Sequence, residues 1–167
     1  SSRAAELLNL PVQVLSPAPF IAAVLRSRNL ADSTLIAPDA GAAARCEAVR
    51  LELRSMQPIL IAKKTRSSAG VSTKLSGTVS KSCVIIDDIL DTGATLVACA
   101  RELQRAGAEE IYVFVTHGLF TGDRWQELFA VGVKQIWCTN SVPGAQTRGA
   151  NIEMLSVTEF AASILMD

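Results

Sequence analysis

With 167 residues, 49% of them apolar, the chain is long enough for one domain with a substantial core. Sixteen acidic residues balance sixteen lysines and arginines, which argues against nucleic acid or an anionic membrane as partner and favours a compact anion held in a local pocket. No apolar run approaches the roughly 18 residues that span a bilayer and no signal-peptide core opens the chain, so the expected location is cytoplasmic.

Residues 12–15 read as a short strand, and Ser16-Pro17 opens a helix carrying Phe20, Ile21, Val24 and Leu25, closed by Arg26 and Arg28. Thr34-Leu35-Ile36-Ala37 is a buried strand that ends in Pro38-Asp39-Ala40-Gly41, ahead of an alanine-rich helix to about Leu53. Residues 58–61 form a third strand. Residues 63–81 then combine Lys63, Lys64, Arg66, Lys74 and Lys81 with Ser, Thr and Gly, show no sustained periodicity, and are expected as a long functional loop.

Four apolar residues, 83–86, stop at the carboxylates Asp87 and Asp88, as a strand buried on both faces does. After a polar turn, Leu96, Val97, Ala100 and Leu103 predict a helix that stops at Gly107. Residues 111–115 form the next strand and run into Thr116-His117-Gly118; His117 is expected to brace its loop rather than act as a base. Asp123 and Gln126 suggest a capping box for a helix over 123–130, with a strand at 134–138 and a polar turn region at 139–151. Ile152–Leu155 is the last strand, and Ser156 with Glu159 caps a final helix bearing Phe160, Ile164 and Leu165. Cys46, Cys83, Cys99 and Cys138 form no C-x-x-C pair and read as buried free thiols. Alternating strands and helices predict an α/β domain of three layers, a mainly parallel sheet of about five strands with helices on both faces.

The chemistry concentrates in Asp87-Asp88-Ile89-Leu90-Asp91-Thr92-Gly93-Ala94-Thr95. A strand-to-helix turn offers backbone N–H groups, hydroxyls and the positive end of a helix dipole to a phosphate. The carboxylates before it suit sugar hydroxyls or a hydrated divalent cation, since both seek hard oxygen acceptors. Neither a Walker sequence nor G-x-G-x-x-G occurs. Pro38-Asp39-Ala40-Gly41-Ala42 likewise puts small residues at a helix start, where backbone amides can approach an anion.

This stretch, two acids, two apolar residues and Asp-Thr-Gly-x-Thr, resembles the ribose-phosphate loop of the type I phosphoribosyltransferase fold, shared by phosphoribosyltransferases and ribose-phosphate pyrophosphokinases. The resemblance implies that Asp87 and Asp88 hold the ribose hydroxyls while Asp91, Thr92, Gly93, Ala94 and Thr95 wrap the 5-phosphate, Ala94 standing where many members have Gly. Ala37-Pro38-Asp39-Ala40-Gly41-Ala42 resembles the pyrophosphokinases' Ser-Pro-Asp-x-Gly-Gly loop, which implies diphosphate binding by Asp39, Ala40, Gly41 and Ala42. Lys64-Thr65-Arg66 resembles their catalytic Lys-x-Arg element, which implies catalytic roles for Lys64 and Arg66.

The likeness runs over nearly the whole chain and implies a single domain, 1–167, equivalent to the C-terminal half of such an enzyme. The N-terminal domain, which supplies the adenine site and a metal-binding histidine, would then be absent here. The implied reaction converts ATP and ribose 5-phosphate to 5-phosphoribosyl 1-pyrophosphate (PRPP) and AMP, with Mg²⁺ as cofactor, metal ligands unidentified and a homo-oligomer expected. A phosphoribosyltransferase consuming PRPP, or a non-catalytic regulatory subunit, are the alternatives.

Overall fold

The computed structural model describes residues 15–67, 70–142, 149–158, 160 and 162; the strand expected at 12–15 falls almost wholly outside them. Helix α1 (Ala18–Ser27) leads into β1 (Thr34–Ala37), α2 (Ala43–Leu53), β2 (Leu60–Ser67), β3 (Gly70–Leu75), β4 (Ser82–Leu90), α3 (Ala94–Arg105) and β5 (Glu110–Gly118). A 3₁₀ turn (Arg124–Gln126), a short helix α4 (Glu127–Ala130), β6 (Val133–Thr139) and β7 (Ile152–Leu155) follow. The strands form one sheet in the order β3-β2-β1-β4-β5-β6-β7. All neighbours pair in parallel except β2 and β3.

Strand alternation divides the core. Cys83 and Ile85 of β4 join Leu96, Val97 and Leu103 of α3 and Leu128 of α4 in one cluster. Val84 and Ile86, on the opposite face, pack with Ile21 and Leu25 of α1 and Cys46 and Val49 of α2. The three-layer α/β expectation therefore holds, with seven strands instead of about five.

Two of the extra features correct the sequence reading. Residues 63–81 are not a structureless loop: β2 continues to Ser67 and pairs antiparallel with β3, from Ala62 opposite Leu75 to Ser67 opposite Gly70. An edge hairpin satisfies its backbone through its own ladder and needs no continuous apolar face, so the lack of periodicity was a poor guide. Strand β4 also runs past the expected stop, carrying Asp87 and Asp88 inside it to Leu90, which is fully buried. A third correction concerns Asp123, which makes no capping bond; its carboxylate accepts from Gln126 Nε2 at 3.3 Å beside a single 3₁₀ turn.

The chain leaves β1 towards β2 on one side and returns to β4 on the other, so the order reverses between β1 and β4. Open α/β sheets bind ligands outside the carboxyl ends of strands at such a point. The two segments that open there are 38–42 after β1 and 91–93 after β4.

Candidate functional site

Gly93 makes the second of these turns possible. It is the N-cap of α3 with φ +80° and no side chain to close the helix end. Its backbone lies against Trp125, whose Cα would stand 2.8 Å from a β-carbon at residue 93. Trp125 is held in turn by its Nε1 donating to the Gly122 carbonyl at 2.8 Å and by an edge-on contact with Phe120. The first turn of α3 thus faces a cavity of about 250 Å³ lined by Asp87, Ile89 and residues 91–96.

The loop after β1 is shaped by Asp39, whose Oδ1 accepts the Ala42 N–H at 3.1 Å as α2 begins. One turn further on, α2 sends Arg45 across the end of β4. Its Nη1 lies 3.3 Å from Asp87 Oδ1 and its Nη2 2.9 Å from Asp88 Oδ2. The guanidinium and the Asp87 side chain are largely buried, at 20% and 15% exposure, whereas Asp88 is 54% exposed.

These contacts give the carboxylates different acidities. Burial pushes Asp87 up to about 6; the Asp88 N–H, donating to Oδ1, and the Arg45 charge work against the rise, and the neighbouring Asp88 carboxylate adds to it. For Asp88 burial also opposes ionisation, but its bond with Asp87 and the Arg45 charge outweigh it, and its carboxyl falls below the usual range. Asp88 is the stronger acid of the pair and Asp87 the weaker.

The carboxylates also line different spaces. Asp87 faces the α3 cavity, while Asp88 and Arg45 line a second pocket of about 430 Å³ with Phe20, Thr116, His117 and Ser141. His117 is placed within β5, opposite Ile89, and its Nδ1 is 2.7 Å from Ser141 Oγ. This contact ties the end of β5 to the segment after β6.

Among the expected site residues, Asp87, Asp91, Thr92, Gly93, Ala94 and Thr95 share one cavity, with Asp88 adjoining. Asp39, Ala40, Gly41 and Ala42 form the turn between β1 and α2 and do not line that cavity. Lys64 and Arg66 are placed by backbone register only, opposite Thr73 and Val71, and their side chains lie outside the described residues. Since Ala37 pairs with Ile61, Lys64 is three residues beyond β1 at the carboxyl edge, about 10 Å along the strand. Arg45 was missed: only its place six residues after Asp39 was visible in the sequence, and nothing there ties it to carboxylates 42 residues later. Among the described residues no three His, Cys, Asp or Glu side chains converge, and one oxygen of each carboxylate of the pair engages the Arg45 guanidinium. The described residues therefore supply no dedicated all-protein cage for a divalent ion.

The family model described as "Phosphoribosyl synthetase-associated domain" matches residues 32–164. The chain belongs to that family. Its curated relatives include a ribose-phosphate pyrophosphokinase of Synechococcus elongatus, 32% identical over 157 residues, which cover 91% of this chain and 47% of the relative. Ribose-phosphate pyrophosphokinase 4 of Saccharomyces cerevisiae is 36% identical over 138 residues, 81% of this chain and 42% of that protein. The chain thus spans about half the length of the curated relatives it matches.

Among solved structures, phosphoribosylpyrophosphate synthetase from Mycobacterium smegmatis superposes with a TM-score of 0.76 at 24% identity, over 90% of this chain and 49% of that one. Adenine phosphoribosyltransferase from Leishmania donovani follows at 0.50 and 15%, over 91% and 66%. Both likenesses concern the fold. As for the membrane, no helix among the described residues is long and apolar enough to cross one.

Proposed function

We propose that this phosphoribosyl synthetase-associated domain is the sugar-phosphate half of a ribose-phosphate pyrophosphokinase. The observation that carries this is the cavity at the topological switch point, where the open N-terminus of α3 and the residues Asp87 and Asp91–Thr95 share one space. The helix end and the Thr92 and Thr95 hydroxyls suit the 5-phosphate. Asp87 and Asp88 suit vicinal hydroxyls, since carboxylates accept from O–H groups and two neighbouring ones can take a diol.

In the proposed reaction the C1 hydroxyl oxygen of ribose 5-phosphate attacks the β-phosphorus of ATP. The bond from that phosphorus to the α-phosphate bridging oxygen breaks, AMP leaves, and the hydroxyl proton passes to solvent. The turn at 38–42 faces the diphosphate being transferred. Lys64 and Arg66, on a hairpin at the carboxyl edge of the sheet, meet the charge that builds on it. The nucleotide's own binding surface, the Mg²⁺ it uses and any oligomer belong to the whole enzyme, in keeping with relatives about twice this length.

Calorimetric titration with ribose 5-phosphate and with PRPP tests the assignment. Both should bind the wild type, and the Asp87→Ala, Asp88→Ala double variant should bind neither. A folded wild type that binds neither ligand would end the proposal.

A further inference from the structure

Arg45 stands where a cation would be sought. Two adjacent carboxylates at a sugar-phosphate site are an obvious place for a divalent ion, yet each gives an oxygen to the same guanidinium, at 3.3 and 2.9 Å. Mg²⁺ demands near-octahedral oxygen ligands at about 2.0–2.1 Å and gives up its water reluctantly. Each carboxylate keeps a second oxygen, but an ion held there would sit beside the fixed positive charge of Arg45. The arrangement is built in: α2 starts directly after the 38–42 turn, is fastened there by Asp39, and buries Cys46 and Val49 against the sheet. The Arg45 backbone is thereby fixed beside the end of β4, and its largely buried head group meets both carboxylates there. Its two nitrogens each take an oxygen from one of the two consecutive carboxylates, which draws them to one cation and fixes them relative to each other.

We propose that Arg45 is the resident counter-cation of this site. It is a positioning residue that holds Asp87 and Asp88 as paired acceptors for the sugar diol and keeps divalent metal off them, so sugar-phosphate binding to this domain needs no Mg²⁺. The inference rests on the sugar-phosphate reading above. It also ties the two halves of the site together, because the helix that carries Arg45 begins at the diphosphate-facing turn.

The test is calorimetric titration of ribose 5-phosphate into the wild type, Arg45→Gln and Arg45→Met, with excess Mg²⁺ and with EDTA. Electron paramagnetic resonance of free Mn²⁺ serves as a second readout, and thermal melts confirm folding. The wild type should bind the sugar equally in both buffers and leave the Mn²⁺ signal unchanged. Either variant should lose about tenfold or more in affinity in EDTA, recover it with Mg²⁺, and deplete the free Mn²⁺ signal. A merely structural arginine would not exchange its role with a metal. Wild-type binding that requires Mg²⁺, or a folded variant that takes up no Mn²⁺, overturns the counter-cation role while leaving the sugar site standing. Wild-type protein that binds no ribose 5-phosphate in either buffer sinks the sugar-phosphate reading, and this inference with it.

Discussion

Replacing Gly93 by Ala tests whether the turn after β4 is as tightly determined as its contacts indicate. Two costs add. The residue has φ +80°, and a β-carbon in the left-handed region costs about 1–2 kcal/mol. That carbon would also stand 2.8 Å from Trp125 Cα and 3.0 Å from Trp125 Cβ. Relieving such a contact is overpacking, worth about 1–3 kcal/mol, and Trp125 cannot retreat cheaply because its indole is anchored to Gly122 and wedged against Phe120 and Phe129. Together they predict a loss of about 2–5 kcal/mol, roughly 4–20 °C in melting temperature for a domain of this size.

Gly107→Ala is the internal control. Gly107 has φ +94° but nothing within 4 Å of a β-carbon, so it should show the backbone cost alone. Urea and thermal melts of the two variants should differ by about 1–3 kcal/mol, and ribose 5-phosphate affinity should fall in Gly93→Ala only. Equal melts for the two variants would refute the reasoning about Trp125.

Asp87 makes a pH prediction. Its carboxyl is pushed up to about 6 in the fold, against about 3.9 in an unfolded chain, so the folded state binds the proton more readily. Its contribution to stability is present below about pH 4 and is lost as pH rises through 6. Asp88, Arg45, Cys46 and Cys99 are the titratable groups near it. Asp87→Asn, a neutral stand-in for the protonated acid, should match the wild type in acid and become the more stable protein towards pH 7; urea melts that stay parallel across this range would contradict the assignment. The thiols supply a further check, since burial pushes Cys46 up to about 12 and Cys138 up to about 11 and raises Cys83 and Cys99 as well. Iodoacetamide at pH 8 should label none of the four in the native state and all of them in urea, and rapid native labelling would show that the core cluster is open.

The parallel sheet was legible because its strands bury both faces. The apolar runs at 35–37 and 83–86, each followed by small and polar residues before a helix, state the architecture and mark the strand ends outside which open α/β sheets bind ligands. The edge hairpin was hidden because β2 and β3 earn their place through backbone pairing, which leaves little trace in side-chain polarity. The continuation of β4 was hidden for a related reason: Asp87 and Asp88 read as the end of a buried run, while it is the buried Leu90 that holds the strand on course. The turn into α3 could be read from Asp-Thr-Gly-x-Thr. Arg45 could not, since its position over the carboxylates depends on how α2 packs against β4 through Cys46 and Ile86, a fact of tertiary packing that no local pattern records.

The measurement that bears most directly on the central claim is a crystal structure of this chain grown with ribose 5-phosphate. The account predicts phosphate density at the N-terminus of α3, against the backbone of residues 92–95, with the ribose hydroxyls on the Asp87–Asp88 pair and Arg45 still engaged. A well-ordered sugar phosphate elsewhere, or an empty cavity at a concentration that saturates binding in solution, would contradict it.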